Sequence, residues 1–266
     1  MPVVDIEWPA PGVLQLRLDR SEAMNAMTHQ LVVELHDALD QADRDDECRV
    51  VIITGTGRAF CAGLDLNDYG DDTVKQMGAQ RGGLSRQREI ASLAEKIRGL
   101  RQPVIAAVNG AAAGGGLALV LASDIRIAAD SAVFAVGFIR AGFSACDIGL
   151  SWLLPRIVGA GAAHELMLTG RKFDSAEALR IGLLFASVPA ESLMDVVYAK
   201  AAEIQLNPPF SVELTKQGMW IALETASFHA SVEFENRQQI LTAQTEDRAE
   251  ARDAFLHKRA PQYKYR

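Results

Sequence analysis

Apolar and polar residues alternate from Gly12 to Asp19 (GVLQLRLD) and similarly from Val3 to Trp8, a period of two that predicts two antiparallel strands at the start of the chain. The period then lengthens. Leu31, Leu35, Ala38 and Ala42 recur at helical spacing, and Thr28 stands where an N-cap hydroxyl belongs. Two unbroken apolar runs follow, Arg49 to Thr54 and Val104 to Val108, as expected of strands covered on both faces. Strands separated by helical segments imply right-handed crossovers and a largely parallel sheet. Between these runs, Asp71 to Arg101 is polar, with seven bases and four acids: a solvated helix face or, more sharply, a phosphate-facing patch. Beyond Ser151 the pattern is helical, with Leu183 to Val188 as a further strand and Asn207-Pro208-Pro209 as the clearest break.

Composition narrows the class. The chain has 266 residues, 49% of them hydrophobic, enough for one α/β domain with a helical extension. A net charge of −7 disfavours a nucleic-acid surface or an anionic membrane as partner. Cys48, Cys61 and Cys146 form no C-x-x-C spacing, which argues against a disulfide framework and a structural zinc site and fits a reducing cytoplasm. The N-terminal MPVVDIEWPAPG has no basic region or long apolar run, so no signal peptide is expected. Asp124 and Arg126 close the longest apolar stretch below membrane-spanning length.

Several motifs fail on one residue each. Gly55-Thr56-Gly57 follows a strand, but a dinucleotide fingerprint needs glycine where Phe60 stands. The glycines at 110, 114, 115 and 116 lack the Lys-Ser/Thr ending of a P-loop. His164-Glu165 is followed by Leu168 rather than a second histidine, and Gly142 to Cys146 breaks the nucleophile elbow at its last position.

What survives is a pair of turns. Arg58-Ala59-Phe60-Cys61-Ala62-Gly63-Leu64-Asp65-Leu66 follows the strand at 49–54, and Asn109 to Leu117 follows the strand at 104–108 with three successive glycines. Without Cβ atoms a ligand can approach such backbone closely. Asp65 is expected in the first turn of a short helix, and a second helix is expected to begin at Gly115 or Gly116. Two such turns, each following a core strand, can point one N–H apiece at a shared point, which is the geometry of an oxyanion hole.

The ordered set of RAFCAGLDL, PVIAAVNGAAAGGGLAL and LTGRKFDSAEALRIGLL resembles the enoyl-CoA hydratase/isomerase (crotonase) family from about Val13 to about Pro189, and Phe255 to Arg259 resumes the likeness. The resemblance implies an α/β spiral of repeated ββα units over residues 1–190. It also implies a C-terminal helical trimerisation region over 191–266, and trimers or hexamers. The implied substrate is an acyl-CoA thioester whose carbonyl oxygen accepts from the N–H groups of Leu64 and Gly115. Gly63, Gly114 and the backbone of Ala62 and Leu66 would flank the substrate, and Arg20, Phe255 and Lys258 would meet the phosphates and adenine of CoA. No cofactor beyond that CoA, and no metal, is implied.

The resemblance breaks at the proton chemistry. The family's hydratases carry one glutamate three residues after the middle glycine, here Ala118, and another about twenty residues on, here Phe138. The next segment, Gly142-Phe143-Ser144-Ala145-Cys146-Asp147-Ile148-Gly149, is similar to the one that carries the catalytic aspartate of dienoyl-CoA isomerases, with one residue inserted. Asp147 is therefore the candidate base; as a plain structural residue it would cap a helix from Ser151. Asp68 and Glu89 are weaker candidates. The expectation is a lyase or isomerase of this family, with an isomerase-type proton shuttle favoured over hydration; a silent acyl-CoA binder and a crotonase-fold hydrolase are the alternatives.

Overall fold

The computed structural model describes residues 1–66 and 76–266. The chain opens with β1 (Val4–Ala10) antiparallel to β2 (Val13–Leu18), then α1 (His29–Arg44), whose first turn is capped by Thr28 accepting from the Leu31 N–H at 3.2 Å. Leu31, Leu35, Ala38 and Ala42 are all buried, so the period of the sequence is the packed face.

A strand pair then repeats. β3 (Val50–Gly55) is followed by the short β4 (Ala59–Cys61), β5 (Val104–Val108) by β6 (Ala111–Ala113), and β7 (Ile125–Ala129) by β8 (Val133–Ala135). Two further strands, β9 (Lys172–Asp174) and β10 (Ala186–Val188), complete two sheets. One has the order β1-β2-β3-β5-β7-β10, parallel beyond the first pair; the other has the order β4-β6-β8-β9. Each turn of the spiral thus lays a long strand in one sheet and a short one in the other, and between turns run α2 (Ala79–Gly99) and α3 (Gly115–Ala122). This is the expected spiral of ββα units.

The faces of the six-stranded sheet are covered differently. Leu16, Val51, Ile53 and Ala106 join the main core with α1, α2 and α3, while Val50, Ile52, Ile105 and Ile127 pack on Leu193, Val197 and Ala201 of a later helix. The helices after β8 are α4 (Leu150–Val158), α5 (Ala160–Thr169), α6 (Ser175–Arg180), α7 (Leu193–Gln205), α8 (Pro209–Glu224), α9 (Phe228–Ala243) and α10 (Glu246–His257). The Asn207-Pro208-Pro209 break separates α7 from α8, with Pro209 at the first helical position. Among the described residues no helix is long and apolar enough to cross a membrane.

Sequence periodicity misses β7 and the three-residue strands. The strand expected over Leu183 to Val188 is confined to its last three residues. The polar stretch from 71 to 101 is helical from Ala79, and three of its bases meet acids: Lys96 with Asp40 at 2.7 Å, Arg98 with Glu224 at 2.7 Å and Arg101 with Asp46 at 3.1 Å. Asp71, Asp72 and Lys75 lie outside the described residues, as does Asp68.

Helix α8 is anchored by a buried ion pair. Lys216 donates to Asp124 at 2.9 Å and to the carbonyls of Ile97 and Gln102, both at 2.9 Å, while Asp124 also accepts from the Val104 N–H and the Trp220 indole. Burial pushes the Lys216 ammonium below its ordinary pKa, opposed chiefly by the charge of Asp124. Removing one partner of such a pair leaves an uncompensated buried charge. Lys216→Met is expected to lower the unfolding free energy by roughly 3 kcal/mol or more, measured by urea denaturation.

Candidate active site

The two glycine-bearing turns leave neighbouring parallel strands at the same end. β4 pairs with β6 through Ala59 and Ala111 and through Cys61 and Ala112, so the chain emerges at Ala62 beside the place where it emerges at Gly114. Their contact is close. A Cβ at Gly116 would lie 2.1 Å from the Cys61 carbonyl oxygen, and one at Gly63 would lie 2.9 Å from the Ala113 oxygen and 3.4 Å from the Gly115 nitrogen. Gly63 has φ +96° and Gly114 φ +52° with ψ −118°, both conformations that favour glycine.

The hydrogen bonds around these turns decide which N–H groups stay unspent. The Met27 N–H donates to the Gly63 carbonyl at 2.7 Å, and the Asp65 N–H donates to the Met27 carbonyl at 2.9 Å. This is a parallel bridge between Met27 and Leu64, which uses the groups on either side of Leu64 and turns the Leu64 N–H away. That N–H has no acceptor among the described residues. The Gly114 N–H is taken by the Ala135 carbonyl at 3.1 Å, and Gly115, as the first residue of α3, has no intrahelical acceptor. Arg20 fixes the first turn from below, pairing with Asp65 at 3.1 Å while also donating to the Ala26 carbonyl.

Leu64 and Gly115 border one cavity of about 180 Å³. Its walls are Met27, Ile90, Phe138, Phe143 and Ile148 together with the two turns, and Gln87 and Asp147 bring side-chain polarity. Asp147 is the only titratable side chain in that lining among the described residues. It is half-buried; its Oδ1 accepts from the Ile148 N–H at 2.8 Å and from the Gln87 amide. Ile148 sits at φ +45°, an uncommon conformation for a β-branched residue and a local strain of about 1–3 kcal/mol. A cavity with two unspent N–H donors and one carboxylate can hold a developing oxyanion and move a proton.

A family model described as enoyl-CoA hydratase/isomerase matches residues 10–266. The chain belongs to the enoyl-CoA hydratase/isomerase family. A probable enoyl-CoA hydratase of Mycobacterium tuberculosis (strain ATCC 25618 / H37Rv) is 41% identical over 264 residues, 97% of this chain and 92% of that protein. The 1,2-epoxyphenylacetyl-CoA isomerase of Escherichia coli (strain K12) is 38% identical over 252 residues, 95% of each. A solved structure of a probable enoyl-CoA hydratase/isomerase from Mycobacterium abscessus superposes with a TM-score of 0.93 at 34% identity, covering 100% of both chains. The protein is thus an acyl-CoA enzyme of this family.

Against the family expectations, the structure brings Ala62, Gly63, Leu64, Leu66, Gly114, Gly115, Phe138 and Asp147 to the cavity. It leaves others out. Ala118 is fully buried in the main core and does not line the cavity. The short helix expected after Asp65 falls on residues outside those described; the Asp65 carboxylate pairs with Arg20, whose guanidinium is thereby drawn to the turn rather than turned outward. Phe255, at 84% exposed, and the exposed Lys258 stand at the end of α10 and do not line the cavity either. Glu89 points to His29 of α1, at 3.2 Å. Asp147 is not the helix cap: α4 begins at Leu150 with Gly149 as N-cap, and it is the Asp147 carbonyl that accepts, from the Leu150 N–H at 2.8 Å. Cys61 is fully buried, and burial pushes its thiol up to about 12, which leaves it an inert packing group. Sequence reasoning missed Gln87; its one signal is the spacing of three from Ile90 on α2.

Because the close approach of the turns needs a bare Cα at 63, Gly63→Ala is expected to cost about 1–3 kcal/mol. At roughly 2–4 °C per kcal/mol for a chain of this size, differential scanning calorimetry should register the loss directly.

Proposed function

We propose that this protein isomerises an enoyl- or dienoyl-CoA thioester through an enolate. The carbonyl oxygen is held by the N–H groups of Leu64 and Gly115, and Asp147 removes a proton from one carbon and returns it to another. The observation that carries this reading is that, among the described residues, the cavity lining holds a single carboxylate and no other charged side chain. Isomerisation needs one mobile proton and one competent base. Hydration additionally needs an activated water, held in the family's hydratases by two glutamates, and Ala118 and Phe138 stand in those places. The Escherichia coli relative named an isomerase is consistent with this preference.

An enolate concentrates charge on one oxygen, so donors already aimed at it stabilise the transition state more than the ground state, by about 3–4 kcal/mol per donor. The positive end of α3 acts in the same direction. The backbone of Ala62 and Leu66 would flank the CoA, and the trimeric assembly implied by the resemblance is supported by α9, which has no fully buried residue within this chain and exposes Phe228, Ile240 and Leu241.

Turnover of 3-enoyl-CoA or dienoyl-CoA should exceed hydration of crotonyl-CoA, and Asp147→Asn should reduce it by roughly 10²- to 10⁴-fold while acyl-CoA binding, followed by calorimetry, persists. A wild-type protein that binds all three and turns over none is a silent binder, and the reading fails. Gly115→Pro deletes one donor at a helix position that accepts proline; with the Met27 thioether displaced from its site (2.9 Å from a Cβ at Gly115), kcat should fall roughly 10²- to 10³-fold with thioester binding kept.

A further inference from the structure

We infer that Gln87 is the positioning residue of the proton shuttle: its side-chain amide fixes the Asp147 carboxylate so that Oδ2 alone faces the substrate. The inference rests on the reading of Asp147 as the base. Gln87 and Ile90, on adjacent turns of α2, both line the cavity, and the Gln87 Nε2 donates across it to Asp147 Oδ1. An ionised carboxylate only accepts, so the amide must present its nitrogen.

The same Oδ1 also accepts from the Ile148 N–H at 2.8 Å, while Oδ2 accepts from no group among the described residues. The two oxygens are therefore unlike. Two donors from different elements, one on α2 and one in the loop before α4, fix the plane of the carboxylate and occupy the lone pairs of one oxygen. The basic lone pairs left for a substrate proton are those of Oδ2.

The chemistry of the donor is suited to this work. A lysine or arginine in place of Gln87 would orient the carboxylate equally well, but its charge would hold the proton-accepting form too firmly to be a useful base. No cation lines the cavity among the described residues. A neutral amide orients the group without bringing a charge into the cavity.

Gln87→Leu keeps most of the bulk of the side chain and removes the donor. For isomerisation of 3-enoyl-CoA, kcat is expected to fall roughly 10- to 100-fold with KM and melting temperature unchanged, because a misdirected base harms the chemical step and not binding. In a double-mutant cycle read by single-turnover rates, adding Gln87→Leu to Asp147→Asn should cause no further loss, since each acts through the other. Unchanged kcat in Gln87→Leu overturns the inference, as does a rise in KM that accounts for the whole effect, or a loss that simply adds to that of Asp147→Asn. Full turnover in Asp147→Asn overturns the base assignment itself, and the role of Gln87 with it. An inactive Asp147→Asn beside a fully active Gln87→Leu removes only the latter.

Discussion

The architecture of the site depends on one steric fact: two backbone turns lie in van der Waals contact, and side chains at two positions would hold them apart. Gly63 and Gly116 each face backbone of the other turn at a distance that a Cβ cannot share without movement: the Ala113 oxygen and the Cys61 carbonyl. The parallel pairing of β4 with β6 sets where the turns emerge, and the Met27 bridge sets how the first one is rotated. Neither device involves the chemistry directly. Together they bring Leu64 and Gly115, whose N–H groups have no acceptor among the described residues, to the same cavity.

That arrangement was legible in the sequence because its determinants are local. Successive glycines after an apolar strand announce a close backbone approach, Thr28 announces a helix start, and the spacing of Leu31, Leu35 and Ala38 announces its buried face. The features that escaped are made by distant pairing. β4, β6, β8 and β9 have three residues each, too few for any period to register, and exist because a neighbouring strand completes them. β7 was hidden by Arg126, which reads as a polar interruption. In the fold its guanidinium donates to the carbonyls of Leu183 and Ser123, both at 2.7 Å, so a charged residue near the start of a buried strand is held by backbone acceptors. Gln87 and Asp147 are 60 residues apart, and no one-dimensional pattern couples them.

The helices beyond β10 are not a uniform appendage. α7 is part of the core, with Leu193, Val197 and Ala201 closing the second face of the large sheet. α8 is held through the Lys216–Asp124 pair and by Arg98 lying between the Trp152 and Trp220 rings, with 4.6 and 4.3 Å to their centroids. α9, by contrast, has no fully buried residue in its own chain. The polar anchoring at α8 fixes the direction in which the remaining helices leave the body. Apolar packing alone would specify that direction less sharply, because a hydrogen-bonded ion pair has one geometry where a greasy contact has many.

The two positions where the resemblance implies glutamates, Ala118 and Phe138, are packed in different ways. Ala118 lies one helical turn beyond Gly115 but behind the cavity surface, fully buried among core residues, so a carboxylate there would have to displace packing to reach a substrate. Phe138 presses its ring against Gly114, with 3.4 Å from a Cβ at that glycine to the nearest ring carbon, and closes the same side of the cavity with apolar surface. The N–H groups of Leu64 and Gly115 belong to the backbone and survive any such exchange, and among the described residues the carboxylate that borders the cavity, Asp147, stands on the loop before α4.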